Sequence, residues 1–380
     1  MNMHAEITTL LKMGPNMLRN SDSAILSGIS RPPNTAKPFA VEQIIQTLNA
    51  MAQKFSAKGI LPGAYSDFAV STPQGDKPRH PQLSKRRDSR KSFAYSFCDA
   101  VLPYILTHPG DIVARPCKTL QDVESAYRLI YKEYLARGYC AENPSQMHYN
   151  FYCILPESRT FVVEKSGVIV GTLSAFVDSP SGLPLESLYP AEVAKFRVKG
   201  RRLAEVGLLA LDSDVFSRRS FSLTDVSKMS ALFCLIKIVF DYLFSIGVTD
   251  GLITVHPKHR MLYEYLKFET IGEVKSYAGA CGNLALPMKN DLLMLNRTAA
   301  KRGGLSVVYG APVYTEKHFD ENFYWTEDLS RKFLMEKLPL WQHLPAKARK
   351  HVSHCLGLEM TDDCIGKTCA RSSSFKPRSL

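Results

Sequence analysis

The chain has 380 residues, of which 45% are hydrophobic and 22% are charged. That composition is typical of a soluble globular protein, and the length suits two average domains or one large domain with extensions. The formal net charge is +12. Such a basic balance favours an acidic partner, and charge alone leaves nucleic acid, an anionic membrane and an acidic protein open.

The cysteines and the apolar runs indicate the compartment. Nine cysteines are scattered along the chain without a CxxC pair, which favours reduced thiols over a disulfide framework. The N-terminus makes a poor signal peptide. The most apolar stretch, Ala231–Val248, is interrupted by Lys237 and Asp241. These two residues lie four apart, so they share one helical face and can pair, as in a buried helix rather than a membrane span. We expect a cytoplasmic protein.

Residues 1–92 have the composition of an extension. Its second half is rich in proline and ends in a basic run over Lys85–Lys91. That pattern is typical of a flexible linker. The segment is interpreted either as a solvated tail or as an arm that docks on an acidic surface.

Regular elements are predicted from residue 93 to residue 295. In chain order they are a strand at Asp111–Pro116, a helix that Thr119 caps, a hairpin of Thr160–Glu164 and Val168–Val177, a short helix at Ala191–Val198, a strand at Arg201–Asp212, a helix at Asp225–Ile246, a strand at Gly251–Val255, a helix opened by Pro257, and closing strands at Ile271–Val274 and Leu284–Met288. This order predicts an α/β domain with a mixed sheet flanked by helices.

Residues 296–380 are predicted to form a C-terminal extension of unknown fold with a basic tail. Helical patches are expected at Leu329–Lys337 and Pro345–Leu356. This extension contains residues of metal-ligand type: His351, His354, Cys355, Cys364 and Cys369. Their spacing matches no standard zinc pattern, so no metal site is predicted.

Glu205 is the one carboxylate in the middle of the apolar strand Arg201–Asp212. A buried carboxylate is costly unless it is paired or put to use. It is interpreted either as a structural partner of Arg201 or Arg202, or as a general base or amine anchor in a cleft between strands. The strand by itself favours the structural role, because ion pairs also perturb carboxylates.

The order of elements is that of the acetyltransferase-like (GNAT) fold, and several ordered motifs narrow the match. They are YRLIYKEYLARGY at Tyr127–Tyr139, Thr160–Glu164 followed by Val170-Gly-Thr-Leu173, the loop Gly182–Glu192, Gly200-Arg-Arg-Leu-Ala-Glu205, and His256-Pro-Lys-His259 with Tyr263 and Phe268. With these motifs the chain resembles the long-chain N-acyl amino acid synthases, relatives of the acyl-homoserine-lactone synthases. The resemblance covers about residues 111–293 and neither end of the chain.

The resemblance implies transfer of a fatty acyl group from the thioester of acyl carrier protein to the α-amine of an amino acid. It implies an acyl-phosphopantetheine thioester as co-substrate and no bound cofactor. Glu205 becomes the candidate base or amine anchor, because a thioester enzyme must deprotonate an ammonium group. His256, at the end of the next strand, is the second catalytic candidate, although a histidine there is also often structural.

Five further positions are candidates for substrate binding. They are Arg202, Lys258, His259, Arg260 and Tyr263. The three consecutive basic residues stand at a helix start, which favours a phosphate. They are interpreted as a site for the phosphopantetheine phosphate or an acidic carrier surface, or as a solvated basic turn.

Two features bear on the choice of substrates. CoA-dependent members of the fold usually carry a glycine-rich turn after the Glu205 strand, and Ser217–Thr224 contains no glycine. This favours a carrier-protein thioester over CoA. Relatives commonly have Arg where this chain has Leu208, which puts the acceptor in doubt.

Two alternatives remain open. One is a CoA-dependent N-acetyltransferase. The other is a catalytically inactive GNAT-like module whose basic termini bind nucleic acid or an anionic membrane. The chain has no standard nucleic-acid-binding motif, so no sequence-specific nucleic-acid partner is expected, and peripheral membrane contact stays open. Four apolar side chains either accept the acyl chain or fill the core: Leu208, Leu209, Phe233 and Phe240.

Overall fold

The structure is a computed structural model that describes residues 102–198, 200–216, 223–298, 303–335 and 346–355, together with Tyr95, Cys98 and Asp99. The extension predicted over residues 1–92 lies outside the described residues. So do residues 217–222 of the glycine-free segment, and the predicted basic tail with Cys364 and Cys369.

Eight described strands form one mixed sheet. The strands are β1 (Ile112–Pro116), β2 (Ser158–Lys165), β3 (Val168–Val177), β4 (Leu203–Leu211), β5 (Asp250–Val255), β6 (Glu269–Thr270), β7 (Lys275–Tyr277) and β8 (Asn283–Asp291). Their order is β1-β2-β3-β4-β5-β8-β6, and β7 pairs with β8. The β4–β5 pair is parallel, and the other pairs are antiparallel.

Helices cover both faces of this sheet and continue into the C-terminal part. They are α1 (Leu120–Leu135), α2 (Pro190–Ala194), α3 (Leu223–Ser245), α4 (Arg260–Tyr265), α5 (Leu292–Arg297), α6 (Ser306–Tyr309), α7 (Glu316–Phe319), α8 (Glu327–Met335) and α9 (Ala346–Cys355). Short 3₁₀ turns lie at Phe151–Ile154, Pro184–Ser187 and Pro257–His259. The predicted mixed sheet flanked by helices is confirmed. None of the helices in the described ranges is long and apolar enough to cross a membrane.

Local chemistry explains the first helix and the hairpin. Thr119 accepts a hydrogen bond from the backbone of Asp122, whose side chain bonds back to the backbone of Thr119, which completes the predicted capping box. The β2–β3 turn holds Ser166 at φ +50° and Gly167 at φ +80°. A turn with positive φ at consecutive residues matches the twist of a hairpin.

Two cores lie on opposite faces of the sheet. Helix α3 covers one face, where its apolar side packs on residues such as Phe161, Ala204 and Ile253. Helix α1 covers the other face, where Leu203 and Leu252 point. Side chains therefore alternate between the cores along β4, and Glu205, two residues after Leu203, faces the α1 side.

The C-terminal part packs on both cores. Tyr309 and Phe319 join the core on the α3 face, and Phe333 and Val352 join the core on the α1 face. The predicted pairing within α3 is confirmed, because Lys237 Nζ lies 2.7 Å from the carboxylate of Asp241.

One predicted strand is wrong. Residues 271–274 are irregular, and β6 and β7 flank them. The β6–β8 ladder pairs Thr270 with Met288, so Ile271 comes opposite Pro287. Its N–H bonds the Pro287 carbonyl at 3.1 Å, but proline has no N–H to return, and the ladder ends there.

Candidate active site

Glu205 lies where two neighbouring strands separate. The parallel β4–β5 ladder joins Leu203, Ala204 and Glu205 to Asp250, Gly251 and Leu252 and extends no further in the described sheet. Beyond Glu205, the β4 edge that faces β5 has no ladder partner. We call the region between these two strand ends, Val206–Leu211 of β4 and Ile253–Val255 of β5, the crevice; the backbone groups on its β4 side have no ladder partner on β5.

The Glu205 side chain is buried, with 5% of its surface exposed. The backbone N–H of Leu185 donates to Oε2 of Glu205 at 2.7 Å. Burial raises the pKa of Glu205 to about 8, the Leu185 hydrogen bond opposes this shift, and the charge of Glu186 adds to it. The carboxyl group therefore exchanges its proton near neutral pH.

The ion-pair interpretation of Glu205 is wrong. Arg201 pairs instead with Asp250 at 2.5 Å and with Asp291 at 2.8 Å. Arg202 is exposed and donates to the carbonyl of Ile246 at the end of α3. Arg202 therefore precedes β4 at the end away from the crevice, and its role in substrate binding stays a prediction.

Two tyrosines that sequence reasoning missed lie near Glu205. Burial raises the pKa of Tyr152 and of Tyr277, and the charge of Glu205 raises both further. The Tyr152 hydroxyl lies 3.3 Å from the carbonyl oxygen of Leu183. These residues come from a 3₁₀ turn and from β7, so only the folded chain brings them to Glu205. Their sequence signal is weak, because aromatic residues are also common in cores.

A β-bulge lies on the crevice wall at Leu208. Ser174 pairs with Gly207, and Thr172 pairs with Ala210, so Leu208 and Leu209 together oppose one residue of β3. Leu208 has φ +56°, which is unusual for a residue other than glycine. A bulge re-aims backbone groups, so this wall can direct N–H donors at an oxygen in the crevice.

His256 lies at the far end of the same crevice. It follows β5, and its Nδ1 accepts a hydrogen bond from the backbone of Lys258 at 3.2 Å. It lies four residues beyond Leu252, the register partner of Glu205, which is about 13 Å along a strand. The structure therefore does not bring His256 and Glu205 into contact. Burial and the charge of Lys258 lower the His256 pKa.

An aromatic group surrounds His256. The Tyr139 ring stacks on His256 with centroids 6.4 Å apart, and Lys258 Nζ lies 5.3 Å from the Tyr139 centroid. The buried Tyr139 hydroxyl oxygen has no hydrogen-bond partner. Tyr263 is half-buried and lies close to Tyr134, which packs edge-on against Tyr139; burial raises the Tyr134 pKa, and Tyr263 adds to this shift. The end of the crevice at His256, its mouth, is thus aromatic, and Lys258 lies against the Tyr139 ring there.

The three predicted basic residues differ in charge. Burial, followed by the charges of Lys258, His256 and Arg137, lowers the His259 pKa to about 4. His259 is therefore neutral at pH 7. Arg260 is exposed and pairs with Glu264 at 2.7 Å. Lys258 and Arg260 remain as the cations at this turn.

Other features of the described residues lie apart from Glu205. Phe233 and Phe240 are buried in the core on the α3 face, and Leu209 packs against it. A surface cleft of about 420 Å³, lined by residues including Phe196 and Lys289, contains none of the predicted site residues. The described side chains that could hold a metal are Glu157, His351 and Cys355, a group without Glu205.

Comparisons with known proteins agree with the sequence motifs. The family model of the N-acyl amino acid synthase FeeM matches residues 125–291, a range that holds all the predicted site residues. No curated protein sequence matches the chain.

Solved structures are also similar to about half of this chain. FeeM, an N-acyl amino acid synthase from uncultured soil microbes, is 27% identical over 47% of this chain and 90% of its own, with a TM-score of 0.40. The AHL synthase LasI is 10% identical over 47% of this chain and 89% of its own, with a TM-score of 0.36. An acyl-CoA N-acyltransferase from Pseudomonas aeruginosa is 10% identical over 47% of this chain and 98% of its own, with a TM-score of 0.32.

The match of residues 125–291 confirms the predicted resemblance to the N-acyl amino acid synthases and the predicted class of enzyme: the chain is an acyltransferase that is similar to FeeM over these residues.

Proposed function

We propose that the chain transfers a long-chain fatty acyl group from the thioester of acyl carrier protein to the α-amine of an amino acid. One observation carries this proposal. Glu205 is a buried carboxyl group with a pKa of about 8 at the point where β4 and β5 separate. The match to the FeeM family supports the amino acid as acceptor.

Glu205 acts in this proposal as the general base. Carboxylate Glu205 first takes one proton from the ammonium group, and the resulting amine nitrogen attacks the thioester carbon to form the C–N bond. As the C–S bond breaks, a second proton leaves the nitrogen and passes to the departing thiolate, which leaves as a thiol. A carboxyl group whose pKa is raised to about 8 is a stronger base than an ordinary glutamate, and it still ionises near the operating pH, as a general base requires.

The thioester lies along the β4 wall. Its carbonyl oxygen becomes negative in the tetrahedral intermediate and needs positioned donors. Backbone N–H groups near the Leu208 bulge face a crevice without a partner strand, so they can supply those donors. The phosphopantetheine arm then runs towards the mouth at His256, where Lys258 and Arg260 face its phosphate or the acidic carrier.

Reconstitution tests the function. The purified full chain is incubated with acyl-acyl carrier protein and a mixture of amino acids, and the products are separated by mass. New N-acyl amino acids that depend on the chain and disappear in Glu205→Gln support the proposal, and their masses name the acyl group and the acceptor. A second set of reactions contains acyl-CoA as the acyl donor in place of acyl-acyl carrier protein.

Each other outcome has a defined meaning. Turnover with acyl-CoA and none with the carrier protein would assign the CoA-dependent alternative. A folded chain that turns over neither donor would favour an inactive binding module. The proposal also implies the cytoplasm, where an acyl carrier protein would be met.

A further inference from the structure

A second group of reactive side chains lies where the C-terminal helix α9 meets the loop before β2. His351 Nε2 is 2.9 Å from Glu157 Oε1. Cys355 Sγ is 3.4 Å from His351 Nε2 and 4.0 Å from Glu157 Oε1. One nitrogen, one sulfur and one oxygen therefore converge within 4.8 Å of one another.

The fold holds the three residues together. His351 and Cys355 lie four apart on α9, so both project from one face of the helix. Val352, between them in sequence, is fully buried in the core on the α1 face and fixes the helix there. Glu157 belongs to the segment between the Phe151–Ile154 turn and β2. The three side chains are each half-buried.

The three distances fit one ion. A point about 2.0 Å from all three atoms lies inside the triangle that these distances define, and zinc binds nitrogen and oxygen at roughly 2.0–2.2 Å and sulfur at roughly 2.3 Å. We propose that Glu157, His351 and Cys355 bind a zinc ion, with water in the fourth position.

A second observation points to a missing ligand. Glu157 Oε2 is buried and has no hydrogen-bond partner. An unsatisfied carboxylate oxygen is costly to bury, and a cation at Oε1 lowers that cost by neutralising the whole carboxylate. Oε1, the other oxygen of this carboxylate, already contacts His351 Nε2.

The geometry disfavours a cysteine nucleophile. A nucleophilic triad needs the thiol on one imidazole nitrogen and the carboxylate on the other. Here Glu157 contacts Nε2, and Sγ lies at nearly equal distances from the two ring nitrogens, 3.4 Å from Nε2 and 3.6 Å from Nδ1. The thiol is therefore not seated on the nitrogen opposite Glu157, as a triad would require.

The donor types select the metal. Thiolate and imidazole ligands suit zinc, whereas magnesium and calcium prefer oxygen ligands. The sequence pattern missed this site because Glu157 lies 194 residues before His351. Bound zinc would fasten α9 to the segment that begins β2, because an ion shared by two segments stabilises the folded state of both.

Cobalt spectroscopy on the full chain tests the site. After chelation and removal of metal, Co²⁺ should give a sulfur-to-cobalt charge-transfer band that equimolar Zn²⁺ bleaches. Glu157→Gln, His351→Asn and Cys355→Ser should each weaken Zn²⁺ binding about a hundredfold or more. Cys355→Ser should also remove the band. Circular dichroism checks that each variant folds.

Matched controls use neighbours of the same types. His354→Asn lies on the exposed side of α9, and Cys281→Ser removes an exposed thiol elsewhere; both should bind Zn²⁺ as the wild type does. Zinc should raise the melting temperature of the wild type and of both controls, and not that of Glu157→Gln. A band that survives Cys355→Ser, or Zn²⁺ affinity that Glu157→Gln leaves unchanged, would overturn the site.

Discussion

The backbone N–H of Leu185 donates a 2.7 Å hydrogen bond to the buried carboxyl of Glu205. Within the described ranges, no lysine or arginine forms an ion pair with Glu205. A single neutral donor offsets only part of the cost of burying a charge. The pKa of the carboxyl group is therefore raised to about 8. The same burial that makes Glu205 a stronger base also lowers the stability of the folded state when the group is ionised.

The first prediction concerns the rate of acyl transfer against pH. Because the base must be ionised, kcat/KM should rise about tenfold per pH unit below the pKa of about 8 and level off above it. Glu205→Gln cannot accept the proton, and its turnover should fall by about 10²- to 10⁴-fold. The measurement is the initial rate from pH 6 to 9 at saturating thioester and at amino acid concentrations well below KM, where the rate reports kcat/KM for the amino acid. A rate independent of pH over that range would exclude Glu205 as the base.

The second prediction concerns the free energy of unfolding, which should fall with rising pH, whereas the rate of acyl transfer should rise. The pKa of Glu205 is 4.5 in an ordinary environment and about 8 in the folded chain. Between these values the folded state holds a proton that the unfolded state has lost, so the free energy of unfolding decreases as pH rises. Glu205→Gln has no proton to lose, so it should not show this decrease in stability, and its amide oxygen can still accept the hydrogen bond from the backbone N–H of Leu185.

We therefore expect Glu205→Gln to be more stable than the wild type at pH 8 and nearly equal to it at pH 5. Urea denaturation at the two pH values measures the difference. A variant that is less stable at both would show that the carboxylate is a structural element. Gain of stability together with loss of turnover would be typical of a residue kept for its chemistry.

Sequence reasoning reached Glu205 because one charge stood in an apolar strand, and it reached the Lys237–Asp241 pair because four residues make one helical turn. Both signals are local. Leu185 and Tyr277 come to Glu205 from distant parts of the chain, and no local pattern marks such contacts. The strand predicted at Ile271–Val274 failed because its pairing depends on a proline in β8, which lies opposite in space.

The third prediction concerns the bulge at Leu208, where φ is +56°. Asn adopts this backbone conformation more readily than β-branched Val does. If the bulge aims donors at the thioester oxygen, Leu208→Val should lose more turnover than Leu208→Asn, by about tenfold for roughly 1–2 kcal/mol of backbone strain. Val preserves apolar packing better, so the reverse order would mean that Leu208 matters for packing. Steady-state rates on the two purified variants decide the matter.

The fourth prediction concerns the buried pair in α3. Lys237 also donates to the carbonyl of Ala311 at 3.0 Å, and Asp241 accepts from the backbone N–H groups of Val313 and Tyr314. Lys237→Met leaves a buried carboxylate without its cation and should lower the free energy of unfolding by about 3–5 kcal/mol.

Adding Asp241→Asn to that variant should restore part of the loss, because the amide oxygen still accepts the two N–H groups without a charge. Chemical denaturation of the single and double variants measures the coupling. A double variant less stable than Lys237→Met would show that the charge of Asp241 is stabilised by groups other than Lys237.

The fifth prediction concerns the carrier protein at Lys258 and Arg260. If these cations meet an acidic carrier, Lys258→Glu and Arg260→Glu should each raise KM for the acyl-carrier substrate about tenfold, with kcat nearly unchanged, because they act on the encounter. Salt should reduce kcat/KM of the wild type more than that of the variants, since screening removes what the substitutions have already removed. A short acyl-pantetheine thioester lacks the carrier surface, so its KM should respond much less.

Arg331→Glu on α8 makes the same charge change at an exposed site and is the control. If it raises KM as much as the two variants do, the encounter depends on net charge; if the small thioester is affected equally, the cations act on the arm within the crevice.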